Sequence, residues 1–232
     1  MKGITLIEVL MAMTLTLGIL TIAVGAVGQG GKVTKEVGSR QDRLESIFHA
    51  VDSIKSDLTK CGMRLQQAFS TRDQLPLETT ENGFSATWGE GVEMISSQAS
   101  RGDLFLFVPD SHLFKTGKRI LVFSGVAGIY EEHQIKNKSK TGIHLQKQLQ
   151  SDFPADSEVI VLKTVEYRFF PQQSQLKRKV DRGTFQPLLE EASDFYVHYF
   201  PESNSILYRI EMNKREQIRG YLFLMNMAVG NE

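Results

Sequence analysis

Met1-Lys2-Gly3-Ile4-Thr5-Leu6-Ile7-Glu8-Val9-Leu10 opens the chain, and apolar or small residues continue to about Gly28. Glu8 is the one ionisable side chain between Ile4 and Gly28. At about 1.5 Å per residue, a helix over residues 4–28 is roughly 37 Å long, enough to cross a hydrocarbon core of about 30 Å. The stretch therefore reads as a transmembrane helix. A carboxylate inside such a span costs at least roughly 2.5–3.5 kcal/mol, so Glu8 needs a partner or a purpose. A secretory signal peptide is the competing reading. Its positive region would be Lys2 alone, its apolar core would be too long and a glutamate would stand at its head, although Ala23-Val24-Gly25 offers a small-residue cleavage site. An ordinary single-pass anchor gives no reason for Glu8.

Gly3, Ile4, Thr5, Leu6, Ile7, Glu8, Val9 and Leu10 match in order the start of the type IV pilin-like family, and the chain resembles that family here. The family's pattern is a short basic leader ending in Gly, a hydrophobic residue, a carboxylate at fixed offset and a long apolar helix. The resemblance implies that residues 1–3 are a leader, that a prepilin peptidase cuts after Gly3, and that Ile4 is then N-methylated. It also implies other pilin or pseudopilin subunits and inner-membrane lipid as partners. Two departures are the three-residue leader and Ile4 where phenylalanine is commoner. Cleavage would leave a cationic amine on Ile4, which Glu8 of a neighbouring subunit can face. Removing either charge from a buried pair leaves the other unpaired, at about 3–5 kcal/mol, so Glu8 would act as an assembly contact. Counting Lys2 against Lys32, Lys35, Arg40 and Arg43 would place the later part of the chain inside. The peptidase motif overrides that count. The expectation is a bacterial inner-membrane protein with a cytoplasmic N-terminus and a periplasmic or extracellular head.

No proline occurs before Pro76, so the helix is expected to continue as an amphipathic segment over residues 29–70, with Gly30-Gly31 as a weak point. Leu44, Ile47, Phe48, Val51, Ile54, Leu58, Cys61 and Leu65 recur at three- and four-residue steps, one apolar stripe. Residues 71–232 read as a β-rich head of one domain. A loop-rich connection with one short strand near residues 84–88 leads into it. Almost continuously apolar runs at 103–108, 119–123 and 158–162 read as buried strands. Residues 194–200 and Ser205–Met212 alternate, with Ile206, Tyr208, Ile210 and Met212 on one face, and 201–204 reads as a hairpin turn. A final strand is expected over 221–228. The fold class expected is α+β: a long N-terminal helix, half transmembrane and half amphipathic, packed against an antiparallel head.

The later half carries a narrower resemblance. Val165-Glu166-Tyr167-Arg168-Phe169, then Leu176-Lys177-Arg178, Gln186-Pro187-Leu188-Leu189 and Asp194-Phe195-Tyr196-Val197-His198-Tyr199 look like the J-type minor pseudopilins of type II secretion and the W-type minor pilins.

Catalytic chemistry finds little support. The histidines at 49, 112, 133, 144 and 198 lack metal-ligand spacing, and no nucleophile elbow, phosphate loop or dinucleotide fingerprint occurs. No enzyme activity, metal or cofactor is expected. Cys61 is the one cysteine, so no disulfide forms within the chain. Lys177, Arg178, Lys179 and Arg182 form the densest basic patch. Net charge is zero, from 27 basic and 27 acidic side chains, and no aromatic residue interleaves that run, so nucleic acid is the less favoured partner. Phe169, Phe170 and Phe185 are expected to fill the core. The chain thus reads as a minor pilin or pseudopilin that initiates or caps assembly of a type IV pilus or type II secretion pseudopilus. An anchored binding or adhesion domain and a DNA-uptake pilin are the alternatives.

Overall fold

The computed structural model describes residues 6–69, 76–212 and 216–227, with side chains except those of 6–10, 12, 27–33, 36, 67 and 69. The chain divides into two compact units, Met1–His49 and Ala50–Glu232, each described by itself.

One helix, α1 (Leu6–Lys60, 55 residues), starts in the first unit and ends in the second. Gly30 and Gly31 lie inside it, since no proline interrupts its backbone ladder. It ends where Gly62 turns left-handed at φ 76°, the position a helix C-terminus reserves for glycine. A Cβ there would also lie 2.7 Å from the Asn226 carbonyl oxygen. A four-residue helix, α2 (Gln66–Phe69), follows.

The second unit is otherwise antiparallel β-structure. Its strands are β1 (Leu77–Thr80), β2 (Gly83–Met94), β3 (Phe105–Phe107), β4 (Arg119–Ser124), β5 (Ile129–Lys138) and β6 (Gly142–Leu145), then β7 (Glu158–Phe170), β8 (Gln175–Val180), β9 (Gln186–Leu189), β10 (Ala192–Phe200), β11 (Ser205–Met212) and β12 (Gln217–Phe223). The larger sheet runs β1-β2-β7-β4-β5-β6-β3, with β8 and β9 added beside β7. Strand β7 is its spine: β2 pairs along one side, and β4 and then β8 share the other. Val159–Leu162 is continuously apolar because both its faces are buried. A second sheet has the order β10-β11-β12.

Of the expected stripe, Ile54 and Leu58 on α1 and Cys61 and Leu65 just beyond it are fully buried, with Ala50 beside them, whereas Leu44 and Phe48 are exposed and Val51 is half-buried. Leu65 and Ala68 join Leu121, Phe123, Ile160 and Leu162 on one face of the large sheet. Ile95, Leu106, Phe114, Ile120, Ile135, Phe153 and Val161 fill the other. Phe84 stacks on Tyr167 at 4.8 Å and lies 6.2 Å from Phe195, so an aromatic column joins the two sheets.

Several expectations are corrected. The regular structure is mostly antiparallel β-sheet, not an α+β pairing of a half-transmembrane helix with a head. Among the described residues no helix is long and apolar enough to cross a membrane. The transmembrane reading of residues 4–28 falls with this, as does the single-pass inner-membrane location with a cytoplasmic N-terminus. From residue 77 the expected loop-rich stretch is instead strand: β1 and β2 form a hairpin, and β2 bends through a bulge at Gly89–Gly91 to stay on β7. The run at 103–108 contributes only β3. The last strand begins at Gln217 and ends at Phe223, before a 3-10 turn at Met225–Met227.

Candidate functional site

Gly3 and Ile4 lie outside the described residues, and so does the side chain of Glu8, whose backbone belongs to α1. What is described of the first unit is the helix surface that follows. Met11, Met13, Leu15, Leu17, Ile19, Leu20, Ile22 and Val24 are each 61–75% exposed. Successive helical positions step by about 100°, so these residues fall on two opposite sides of the helix, and Thr14, Thr16, Gly18, Thr21, Ala23 and Gly25 line the sectors between them. Thr14 and Thr21 donate their hydroxyl protons to the carbonyls of Met11 and Leu17, at 3.0 and 2.8 Å. Their hydroxyl protons are thereby satisfied within the helix.

In the second unit, one face of β10-β11-β12 closes the core. Phe195, Val197, Ile206, Tyr208, Ile210 and Met212 are buried there, in the alternation their sequence shows. The other face carries Tyr196, Phe200, Tyr221 and Phe223, between 37 and 63% exposed, with His198 among them. His198 meets the Phe200 ring edge-on at 4.5 Å, and Tyr221 meets Phe223 edge-on at 5.4 Å. Arg209 lies 5.3 Å from the Tyr196 ring centre and pairs with Asp194 and Glu211. The face is thus aromatic toward the β10–β11 turn and charged toward its far end. Exposed aromatics beside arginine are the composition of protein-binding surfaces. The sequence signal is the alternation of Tyr196, His198 and Phe200 along the strand.

Both long hairpins turn on one device. Phe170-Pro171-Gln172-Gln173-Ser174 and Phe200-Pro201-Glu202-Ser203-Asn204 each place proline at the start of a 3-10 turn and end it on a left-handed residue. This short repeat was not seen in the sequence.

The basic run does not stay solvated as a unit. Arg178 turns inward to Asp57 at 2.9 Å, and Lys179 pairs with Glu166. Phe170 and Phe185 do not fill the core. They meet edge-on at 5.3 Å, half-buried, with Lys177 and Lys179 over their rings at 4.9 and 4.8 Å, whereas Phe169 is buried as expected. Beside them lies a surface cleft of about 290 Å³, bordered by Lys118, Arg119, Glu166, Lys179, Asp181 and Arg182. Lys118 binds Asp181 at 2.7 Å and Glu90 at 3.1 Å, and Arg119 binds Glu132 at 2.6 Å. Burial alone would lower the Lys118 pKa, but hydrogen bonds from its amine to Asp181 and Glu90 raise it. Most cations of the cleft are therefore matched by carboxylates, which weakens their pull on a polyanion.

Burial would raise the Glu131 carboxyl pKa, yet the Gln150 N–H and His133 hold it low. His133 lies 2.8 Å from Glu131, and Ser151 bonds the same carboxylate, not the imidazole. The three residues therefore lack the serine–imidazole contact of a nucleophile and its base.

No family model matches the chain, and no curated protein does. Among solved structures, 34% of the chain aligns with 15% of the tailspike of Acinetobacter baumannii bacteriophage AP22, solved with A. baumannii capsular saccharide, at 9% identity and a TM-score of 0.29. Likewise 62% of the chain aligns with 33% of the phage phi92 endosialidase, at 8% identity and a TM-score of 0.20. The chain thus spans well under two thirds of either protein, and scores this low carry no argument about its fold or function.

Proposed function

We propose that this chain is a structural subunit of a helical assembly, a minor pilin or pseudopilin that helps to initiate or cap a type IV pilus or type II secretion pseudopilus. The observation that carries the reading is the uncharged surface of α1 between Met11 and Ala26, with large exposed apolar side chains on two opposite sides of the helix. A helix with large apolar side chains on two opposite sides needs other apolar surface on more than one side, and sibling helices supply that in a filament core. The order Gly3-Ile4-Thr5-Leu6-Ile7-Glu8 supports the same reading, because it provides a cleavage site, a new amine and a carboxylate to pair with it. The exposed aromatic face of the small sheet suits a subunit that works by protein contact. The matched charges of the cleft favour this over a DNA-uptake role.

Intact-mass measurement of the protein from its own host tests the reading. The mature chain is expected to lack Met1, Lys2 and Gly3 and to carry one methyl group on Ile4. An unprocessed N-terminus, or one cut near Ala23-Val24-Gly25, overturns it. Glu8→Leu is expected to block incorporation beside sibling subunits while leaving the cut intact. Normal incorporation of that variant would remove Glu8 from the assembly contact.

A further inference from the structure

Strand β12 ends its sheet, and its outer edge has no partner among the described residues. The pairing with β11 shows which backbone groups are left over. Met212 N–H donates to Glu216 O, and Leu224 N–H donates to Asn204 O, both within the β11–β12 register. Bonded and non-bonded positions alternate along an antiparallel pair, so Ile218, Gly220 and Leu222 spend their N–H and C=O groups on β11. Gln217, Arg219, Tyr221 and Phe223 turn theirs outward.

This edge lacks the features that usually protect one. It has no proline, no lysine and no bulge across seven residues, and its one charge is Arg219. Ile218 and Leu222 are only half-buried.

We propose that two copies of this chain pair antiparallel along β12, about a two-fold axis through Gly220. The sequence of the strand is complementary to itself in that register. Arg219 falls opposite Tyr221 of the second copy and Gln217 opposite Phe223, all four being residues whose backbone groups point outward. Ile218 falls opposite Leu222 in the close, non-bonded positions, so each covers apolar surface that the edge leaves bare. Arg219 of each copy meets an aromatic ring, a favourable cation–π partner. A shift of the register by two residues one way would set Arg219 against Arg219, and the other way would shorten the overlap. Glycine on the axis lets the strands approach without side chains there. The result is a continuous six-stranded sheet and an isologous interface. The inference concerns the second unit and stands apart from the filament reading.

Disulfide trapping tests it on the full chain in detergent, under mild oxidation, with Cys61 retained because it is fully buried. Ile218→Cys together with Leu222→Cys is expected to give a covalent dimer on a non-reducing gel. Each single variant is expected to stay monomeric, since identical positions lie four residues apart across the axis, too far for a disulfide. Absence of the dimer in the double variant overturns the proposal, as does equal cross-linking of a single variant. Adding Arg219→Pro, which removes an outward N–H and leaves the β11 bonds intact, is expected to reduce the dimer to the level of the single variants. Protection of the Cys61 thiol reports that this variant stays folded. A folded Arg219→Pro variant that still cross-links fully would equally overturn the pairing.

Discussion

The phenol of Tyr167, in the spine strand β7, donates a 2.6 Å hydrogen bond to the carboxylate of Asp57, in the last turns of α1. Arg178 completes the group from β8: its Nε donates to Asp57 at 2.9 Å and to the phenol oxygen at 3.1 Å. Asp57 is 4% exposed and would be costly there without these partners. Burial, and then the Asp57 hydrogen bond and charge, push the Tyr167 pKa far up, so the phenol stays a donor. The helix end is thus fixed to the sheet in one register by a polar contact, where apolar packing alone would tolerate sliding.

Tyr167→Phe removes the phenol's bonds to Asp57 and Arg178, which still bond each other, and keeps the ring stacked on Phe84, so a loss of about 1–2 kcal/mol is expected. Asp57→Ala leaves Arg178 and the phenol without their shared acceptor. Its cost is expected at about 2–4 kcal/mol, below a fully buried pair because the Arg178 side chain keeps 31% of its exposure. Urea midpoints of the two variants check the order. Equal losses would remove Asp57 as the centre of the group.

Acid should weaken the sheet surface through Glu90. Burial alone would raise its carboxyl pKa, but hydrogen bonds and charges from Lys163 and Lys118 hold it below the usual 4.5. A carboxyl lowered by folding contributes stability that is present above its unfolded pKa and is lost as pH falls through the folded one. Stability is therefore expected to decline below about pH 4.5, and Glu90→Gln to make that decline shallower by less than about 1 kcal/mol, because the pairs are partly solvated. An acid limb of unchanged slope in Glu90→Gln would exclude this role.

Strands β4, β10 and β11, the first part of β7 and the second hairpin were legible because their residues alternate or run apolar, whereas β5 was not. Ile206, Tyr208, Ile210 and Met212 point inward as their spacing predicts, and Pro201-Glu202-Ser203-Asn204 makes the turn. The β1–β2 hairpin was not legible, because glycines at 83, 89 and 91 imitate a loop. Gly83 is there because a Cβ would lie 1.9 Å from the Tyr167 carbonyl oxygen, and Gly89 and Gly91 because β2 bulges. The partner of Arg178 was not legible either: Asp57 stands more than a hundred residues away, and nothing local marks the pair. The outward aromatics were visible as letters, but sequence alone could not say which face of β10 the core would take.

Cys61 should behave as an inert thiol. Burial pushes its pKa up to about 12, although a backbone contact at Thr87 acts the other way. Its Sγ sits 3.3 Å from the Pro76 carbonyl oxygen and 3.8 Å from the Met227 sulfur. A thiol reagent at neutral pH is expected to leave the native protein unmodified and to titrate one thiol after denaturation. Rapid modification of the folded chain would mean that the end of α1 opens readily.

Gly220 gives a test in which two effects predict opposite signs. Glycine inside a strand normally costs roughly 0.5–1 kcal/mol against alanine, so Gly220→Ala would be stabilising on propensity alone. Here the Tyr208 ring, 1% exposed, lies across the glycine, and an added Cβ would stand 2.0 Å from it. The ring cannot withdraw without disturbing the core, so a loss of about 1–3 kcal/mol is expected. In a Tyr208→Ala background the collision is gone, and the same substitution should become neutral or favourable. A double-mutant cycle measured by urea denaturation reads this coupling directly. A cost that stays the same in both backgrounds would show that the strain at Gly220 comes from its backbone and not from Tyr208.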